Sequence, residues 1–546
     1  MKLKNLIYSL TVTATIFSCS TEDDLIEERI NKNPTPDEVE LTATAGSADF
    51  TTYVSIGNSL TAGLMDATLY TRGQMGSFPN LLAGRFQLAG GGEFNLPDID
   101  SDAGFNTSYN DLANAFEGPA PFGKLVLDTS IPGPVPTAPG ENMNMVEMAD
   151  RPSINNLGVP GMRMIELTVK GYGTLNPFYT RFALDPSSTS VLEQALAKQP
   201  TFMTYWLGSN DVLSWASGGG VGPDAAENPG VLDQDPSALV STQSFNVTIQ
   251  GSLQAMFGTY PDLQGIIINI PNITVLPYFQ AVKYNAIPMD EATASATNSG
   301  YAGYNAALQG LTNPQLAGLG ITPLTAEEVS YRSISFSAGQ NAVVVVDDAL
   351  NDLEEEFDAL VTAGAITAEQ RTALVPFEQV RQLKSAAQET NLVNFGLPSE
   401  ILTLSAGAVL GTLADANNPA SVIGVGVPLA DKYTLTVDEI AKLLTRITMF
   451  NAEITAQANK YSNLHLFDAN TLFTNVAISG GYTSANGFKY APDFSPNGIF
   501  STDGIHPNPA GHAIITNEIM AVINAKFGAD LPMYEVTNFS TVLTKQ

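Results

Sequence analysis

Five short apolar segments constrain most strongly what this chain can fold into. They cover residues 52–56, 153–157, 201–207, 265–270 and 464–467, and each ends in small or polar residues. Runs that are apolar throughout are typical of strands buried on both faces of a parallel sheet. Helical patterns lie between and after these segments. The sequence therefore predicts an α/β fold in which helices pack against a parallel central sheet.

The clearest helical pattern covers residues 437–461. Its apolar residues recur at helical spacing, and Thr436 with Glu439 makes a capping box at its start. Shorter helical patterns cover residues 191–198, 245–257 and 513–525. Strands that alternate with helices in this way place ligands beyond the carboxyl ends of the strands.

A large insertion is predicted at about residues 280–435, because the interval between the fourth and fifth strands is far longer than an ordinary connection. We expect it to be mostly helical. Residues 348–360, 367–383 and 400–413 have helical patterns, Thr367 and Gln370 have capping-box spacing, and residues 342–346 form a strand candidate. The insertion either elaborates the fold or walls a substrate pocket, and the sequence leaves both open.

The N-terminus has the form of an export signal. Lys2 and Lys4 precede an apolar run that is too short to span a bilayer and that gives way to acidic residues. The run ends at Cys19, the only cysteine of the chain. Its last residues resemble a bacterial lipobox, which implies a signal peptide at residues 1–18 and lipidation of Cys19. An ordinary cleaved signal with a free thiol is the alternative.

Residues 19–48 are polar, acidic and without periodicity, and they are predicted to be a tether to a folded domain at residues 49–546. The acidic stretch after Cys19 resembles the surface-export signal of lipoproteins in some Gram-negative groups. This resemblance implies an exported outer-membrane lipoprotein, whose periplasmic or cell-surface location stays open. The domain has no second cysteine for a disulfide and must be stable through its core alone.

The formal net charge of −31 argues against nucleic acid as a partner, because phosphate backbones are bound by clustered Lys and Arg. An acidic surface also repels anionic lipid headgroups. Attachment to a membrane would therefore come from the N-terminal lipid anchor. Oligomeric state is not readable from the sequence.

Three sequence blocks at strand ends carry groups that acyl-transfer chemistry uses. Ser59 follows the first strand directly, where Gly57 allows a sharp turn, and supplies a hydroxyl. Gly161 follows the second strand and could present a backbone N–H to an oxyanion. Asn210 follows the third strand and has a side-chain amide of the kind oxyanion holes use, although asparagine there more often caps a helix.

A fourth block supplies the base and its partner. Asp503 lies three residues before His506 in a Gly- and Pro-rich loop that can fold the carboxylate back onto the imidazole. The chain has three histidines. His465 lies inside an apolar strand and is predicted to be a core residue, while His512 begins a helix and is predicted to pack or cap there.

The four blocks, in this order, resemble those of the SGNH (GDSL-like) hydrolases. The resemblance implies a flavodoxin-like three-layer fold, Ser59 as nucleophile, His506 as general base and Asp503 as its orienting acid. It further implies an oxyanion hole made by the Ser59 N–H, the Gly161 N–H and the Asn210 side chain. Asn58 departs from the aspartate that the family usually has there. The chain has no Gly-x-Ser-x-Gly pentapeptide of the α/β-hydrolases.

A serine esterase or lipase that works through an acyl-enzyme is the function this resemblance implies. Lipid esters, short acyl esters and acetylated carbohydrates stay open as substrates, with a slight preference for lipid or other acyl esters because the anchor holds the protein at a membrane. Apolar segments at residues 205–207 and 276–279 could line an acyl pocket, although such stretches are more often core. The alternative is a non-catalytic surface lipoprotein that binds glycans or lipids.

No cofactor and no metal are predicted. Asp98, Asp100 and Asp102 lack the glycine and the final acidic ligand of an EF-hand loop, and they are interpreted as solvated acid. Residues 218–220 are three glycines without the lysine of a phosphate loop, and they are interpreted as a flexible connection.

Overall fold

The five predicted strands form one sheet in which every neighbouring pair is parallel. In chain order they are β1 (Tyr53–Gly57), β2 (Asn156–Gly158), β3 (Phe202–Trp206), β4 (Gln264–Ile268) and β5 (Leu464–Phe467). Their order across the sheet is β2-β1-β3-β4-β5. The direction of strand addition reverses next to β1, so the carboxyl ends of β1 and its neighbours border a crevice where α/β proteins place ligands.

The computed structural model describes residues 41–117, 120–128, 130 and 133–545. The predicted signal peptide at residues 1–18, the lipidation site Cys19 and the tether up to residue 40 lie outside the described residues. Within the described part, no helix is both long enough and apolar enough to cross a membrane.

Helices surround the sheet within the described ranges. In chain order the α-helices are α1 (Ser59–Ala62), α2 (Thr71–Met75), α3 (Phe78–Leu88), α4 (Pro177–Thr180), α5 (Val191–Ala197), α6 (Asn210–Ser217), α7 (Thr242–Thr259), α8 (Pro277–Gln280), α9 (Glu291–Gly310), α10 (Ala326–Arg332), α11 (Glu354–Thr362), α12 (Ala368–Leu374), α13 (Thr390–Asn394), α14 (Val437–Lys460), α15 (Ala469–Ile478) and α16 (Pro509–Phe527). The capping box predicted for Thr436 and Glu439 begins α14 and is confirmed.

Two residues of β3, three positions apart, show how the layers are arranged. The ring of Phe202 contacts the rings of Phe86 in α3 and Phe527 in α16. Tyr205, three residues on, points to the opposite face, and its hydroxyl lies 3.0 Å from that of Ser252 in α7. Because side chains alternate along a strand, helices cover both faces of the sheet. The predicted α/β layer structure is confirmed.

Short antiparallel ribbons accompany the central sheet. They pair Thr68–Leu69 with Phe105–Asn106, Leu125–Leu127 with Pro134–Pro136, Ile287–Met289 with Gly339–Asn341, Val344–Val346 with Val380–Gln382, Ile401–Leu402 with Thr434–Leu435, and Tyr482–Thr483 with Lys489–Tyr490. Three of these ribbons belong to the insertion, which also holds α9 to α13 and buries apolar clusters of its own.

The insertion is less helical than the sequence predicts. Residues 348–360 are helical only from Glu354, and the helix that begins after Thr367 ends at Leu374. The helix predicted at residues 400–413 is wrong. Ile401–Leu402 forms a strand against Thr434–Leu435, and a short 3-10 helix, Leu404–Ala408, follows it. Pairing with a distant segment overrides the local helical pattern there.

The folded unit begins at Ala43, ahead of the boundary at residue 49 that the sequence predicts. Thr44 pairs with Asp530, and the Ser47 N–H donates to the carbonyl oxygen of Phe527 at 2.8 Å. Ala48 is buried. These backbone hydrogen bonds join the last residues of the predicted tether to the end of α16, so they belong to the fold.

Candidate active site

Ser59, His506 and Asp503 lie in one hydrogen-bonded row. The Nε2 atom of His506 is 2.8 Å from Oγ of Ser59, and its Nδ1 atom is 2.8 Å from Oδ2 of Asp503. All three side chains are buried or nearly so. The structure therefore brings together a hydroxyl, an imidazole and a carboxylate in the relative positions that a serine nucleophile, its base and an orienting acid occupy.

Ser59 is held at the end of β1 by the turn into α1. The side chain of Asn58 caps that helix by accepting the N–H of Leu60 at 3.1 Å. An aspartate, which the resemblance leads one to expect at this position, could make the same bond. Gly57 is needed for a reason other than a sharp turn, because a Cβ there would lie 2.8 Å from the carbonyl oxygen of Trp206 in β3.

The loop between Asp503 and His506 folds back on itself. Oδ1 of Asp503 accepts the backbone N–H groups of Ile505 and His506, each at 2.9 Å. Gly504 has φ of +72°, and a Cβ on it would lie 2.9 Å from the backbone nitrogen of Tyr278. Glycine is therefore required both by the left-handed backbone and by the close approach of the neighbouring chain.

Asp503 stays ionised although it is buried. Burial raises its pKa, but the electrostatic attraction of His506 and the hydrogen bonds from His506 and from the Ala67 N–H outweigh burial and lower the pKa to about 2. The Ala67 N–H donates to Oδ2 at 3.0 Å. A fixed carboxylate can therefore orient the imidazole and stabilise its protonated form.

The three oxyanion donors that the resemblance implies lie on loops at the carboxyl ends of β1, β2 and β3. Asn210 is the first residue of α6 and, together with Ser59, lines the same cavity. Its amide donates to the Met162 carbonyl oxygen at 3.1 Å and does not cap the helix. Gly161 has φ of +81° and lies outside the cavity lining. Within the described part of the chain, the N–H groups of Ser59 and Gly161 have no acceptor.

Asp211, next to Asn210, also holds the loop that carries Gly161 in place. Its Oδ2 accepts the Met164 N–H at 2.7 Å, while Oδ1 is buried without a partner among the described residues. Burial raises the pKa of Asp211 to about 7. Two hydrogen bonds therefore hold the loop that carries Gly161 against the start of α6. Asn210 donates one of them, and Asp211 accepts the other.

A small apolar cavity opens beside Ser59 and His506. Its wall includes Leu60, Leu213, Ile273, Leu276, Phe473 and Phe500. Of the two segments predicted as pocket walls, Leu276 lines this cavity, whereas Tyr205, Trp206 and Phe279 are buried in the core. The cavity can accommodate an uncharged apolar group of modest size.

Sequence reasoning missed Asp66, which supports the row of catalytic candidates. It is buried, and its Oδ1 accepts both the N–H and the hydroxyl of Thr502, at 2.9 and 2.6 Å. Burial raises the pKa of Asp66. A single aspartate in a turn between two short elements has no sequence pattern that would have marked it.

The other two histidines are not part of the site. His512 is fully buried at the start of α16, where its Nδ1 accepts the Phe78 N–H at 3.3 Å, and burial lowers its pKa to about 3. His465 lies in β5 with its ring against Phe527, and burial lowers its pKa. The packing role predicted for His512 is confirmed, whereas His465, predicted to be a core residue, is only half-buried because β5 is an edge strand of the sheet.

Comparisons of the chain with protein-family models, with curated proteins and with solved structures give no match. The chemistry of the site is therefore interpreted from its own atoms. These define a hydroxyl hydrogen-bonded to an imidazole, a carboxylate hydrogen-bonded to the same imidazole, candidate donors for a developing negative charge, and an apolar cavity.

Proposed function

We propose that the chain is a serine ester hydrolase of the SGNH type, with Ser59 as nucleophile, His506 as general base and Asp503 as the acid that orients it. The observation that carries the proposal is the position of His506, whose two ring nitrogens each lie 2.8 Å from a partner, Ser59 on one side and Asp503 on the other. The strand order, written 2-1-3-4-5, is that of flavodoxin-like sheets and supports the same assignment.

The reaction proceeds in two halves. Oγ of Ser59 attacks the ester carbonyl carbon while its proton passes to Nε2 of His506, and the oxyanion is held by the Ser59 and Gly161 N–H groups and the Asn210 amide. The C–O bond then breaks, His506 gives the proton to the departing alcohol, and an acyl-enzyme remains. Water next loses a proton to His506 and attacks the acyl carbon, and the acid leaves as Ser59 regains its proton.

Carboxylic esters with an apolar acyl group are the substrates that the cavity favours. Its lining is mainly aliphatic and aromatic, and no charged side chain other than that of His506, when protonated, lies in its wall. A polar sugar would find few hydrogen-bond partners on this wall. An acyl chain would bury apolar area there, worth about 0.8 kcal/mol for each methylene.

Attachment to a membrane through a lipid on Cys19 is a further part of the proposal. It depends on the lipobox resemblance, and it would place the active site beside lipid esters. Mass spectrometry of the mature N-terminal peptide tests it, because a diacylated Cys19 is expected, and an unmodified cysteine or a different first residue would reject the anchor.

Ester turnover by matched serine variants tests the proposed function. Ser59→Ala should lose nearly all hydrolysis of a nitrophenyl ester, on the order of 10⁴-fold or more, because no other hydroxyl of the described residues hydrogen-bonds to the His506 ring. Ser55→Ala is the control, since Ser55 is buried in β1, the strand that leads into Ser59, and its hydroxyl has no partner among the described residues. It should keep wild-type turnover. Equal turnover by the Ser59 variant would reject the nucleophile.

The alternative is a non-catalytic lipoprotein that binds glycans or lipids. It predicts no ester turnover by the wild-type chain at any acyl length and no difference between the two serine variants. The same assay therefore separates the two functions.

A further inference from the structure

Three carboxylates lie close together away from the candidate active site, where the insertion packs against the first turn of α14. Asp348 follows the strand Val344–Val346, Asp431 begins the 3-10 helix Asp431–Tyr433, and Glu439 lies in the first turn of α14. One carboxylate oxygen from each lies within 4.8 Å of the others. The three residues come from separate elements, so no local sequence pattern links them.

Asp431 makes this more than an acidic cluster. Only 9% of the residue is exposed, and neither of its carboxylate oxygens has a hydrogen-bond partner among the described residues. A buried carboxylate is normally hydrogen-bonded or paired, because burying an unpartnered charge is strongly unfavourable. The side chain instead faces Asp348 and Glu439, two groups that repel it.

Neighbouring cations do not relieve this repulsion. Among the described residues, no Lys, Arg or His forms an ion pair with any of the three carboxylates. Asp347 lies close by, but its carboxylate is already paired with Arg381 at 2.5 Å. Glu439 accepts two hydrogen bonds from Thr436 through Oε2. The positive charge that the cluster needs is therefore not supplied by a side chain.

The backbone of the three glycines at residues 218–220 packs closely against the cluster. A Cβ on Gly220 would collide with Oε1 of Glu439, and one on Gly219 would collide with the backbone of Asp431 and Lys432. Both glycines have positive φ, +71° for Gly219 and +76° for Gly220. They are therefore a close-packed wall of the cluster and more than the flexible connection that the sequence indicates. This wall directly follows α6, whose first residue is Asn210.

We infer that Asp348, Asp431 and Glu439 form a binding site for a hard divalent cation, Ca²⁺ in the first place, which fastens the insertion to α14 and to the end of α6. Oxygen-only ligands of high negative charge select Ca²⁺ or Mg²⁺ over softer metals. Three protein carboxylates suit Ca²⁺ better than Mg²⁺, because Mg²⁺ keeps several of its waters and is usually bound through only one or two carboxylates.

Calcium binding by the full chain and two matched variants tests the inference. Asp431→Asn removes the buried, unpartnered ligand at constant shape. Asp438→Asn is the control, because it removes one exposed charge from the same turn of α14. After treatment with EDTA, each protein is dialysed against Ca²⁺ and its bound metal is measured. The wild type and Asp438→Asn should retain one more Ca²⁺ than Asp431→Asn.

Thermal unfolding gives a second measurement that does not depend on activity. Ca²⁺ should raise the unfolding midpoint of the wild type and of Asp438→Asn above that in EDTA, and Mg²⁺ should raise it less. Asp431→Asn should show no rise, yet in EDTA it should be at least as stable as the wild type, since one repelling charge is gone. This comparison keeps a misfolded variant from counting as support.

Two results would overturn the site. One is equal Ca²⁺ retention by the wild type and Asp431→Asn, which would mean that Asp431 is not a ligand. The other is a larger midpoint rise with Zn²⁺ than with Ca²⁺, which would contradict the choice of a hard cation. Neither result bears on Ser59, so the proposed hydrolase function is tested separately.

Discussion

The carboxylate of Asp66 accepts two hydrogen bonds from Thr502, a residue 436 positions further along the chain. Thr502 directly precedes Asp503, and the next residue after Asp66, Ala67, donates its N–H to Asp503. Both Asp66 and Ala67 have positive φ, +56° and +58°, which costs backbone energy for residues other than glycine. The turn after β1 therefore fixes the loop that presents the proposed triad acid.

Asp66→Ala should lower kcat by roughly 10- to 100-fold with little change in KM, because a small displacement of Asp503 misorients His506 without altering the acyl cavity. Asp66→Asn should recover much of the loss, since its amide oxygen can still accept from Thr502. Asp262→Ala, an exposed acid remote in sequence, serves as the control for net charge. Steady-state kinetics measure all three, and an unchanged kcat in Asp66→Ala would remove Asp66 as a positioning residue.

Asn210→Ala should reduce kcat by roughly 10²- to 10³-fold while KM stays within a few-fold, because a donor to the oxyanion acts mainly in the transition state. The variant also loses the hydrogen bond to Met162. Thermal unfolding of the same protein separates the two effects. A loss confined to KM, with kcat unchanged, would contradict the role assigned to the amide.

Asp211 predicts how stability changes with pH. Its folded pKa, about 7, lies above the ordinary value of 3.8, so the folded state binds more protons than the unfolded state between these values. The contribution of Asp211 is therefore most favourable below about pH 4 and is lost as the pH rises through 7. Relative to the wild type, Asp211→Asn should gain roughly 1–3 kcal/mol in unfolding free energy between pH 5 and pH 8. Denaturant unfolding at both pH values measures this, and a constant difference would refute it.

Leu213→Trp tests the acyl cavity. Leu213 lines the cavity beside Ser59 and is half-buried, so a larger ring can enter the space without entering the core. We expect kcat/KM for a butanoyl ester to fall about tenfold relative to that for an acetyl ester, because the two excluded methylenes lose about 0.8 kcal/mol each. An acyl-length series on the wild type and the variant measures the ratio. An equal effect on both esters would place the acyl chain elsewhere.

The central sheet was predictable because four of its five strands are buried almost throughout, and continuous apolar runs such as β4 record that burial directly. The helix α14 was predictable because it has one apolar face and a capping box at Thr436 and Glu439. The strand Ile401–Leu402 was not, since it exists through pairing with Thr434–Leu435 and its own residues favour a helix.

The same distinction holds for the functional groups. Ser59, Asn210, Asp503 and His506 lie in short blocks at strand ends or in a Gly- and Pro-rich loop, and such blocks can be recognised in a sequence. Asp66 acts through a partner that is distant in the chain, and the cluster around Asp431 is assembled from three separate elements. Residues whose roles depend only on tertiary contacts carry no local pattern.

Covalent labelling tests most directly whether Ser59 is an activated nucleophile. The full chain is treated with a fluorophosphonate, digested, and the modified peptide is identified by mass spectrometry. We predict a single adduct on Ser59, strongly slowed in His506→Ala, because the imidazole 2.8 Å away must take the hydroxyl proton. Absence of an adduct, or labelling of another residue at the same rate in Ser59→Ala, would contradict the account.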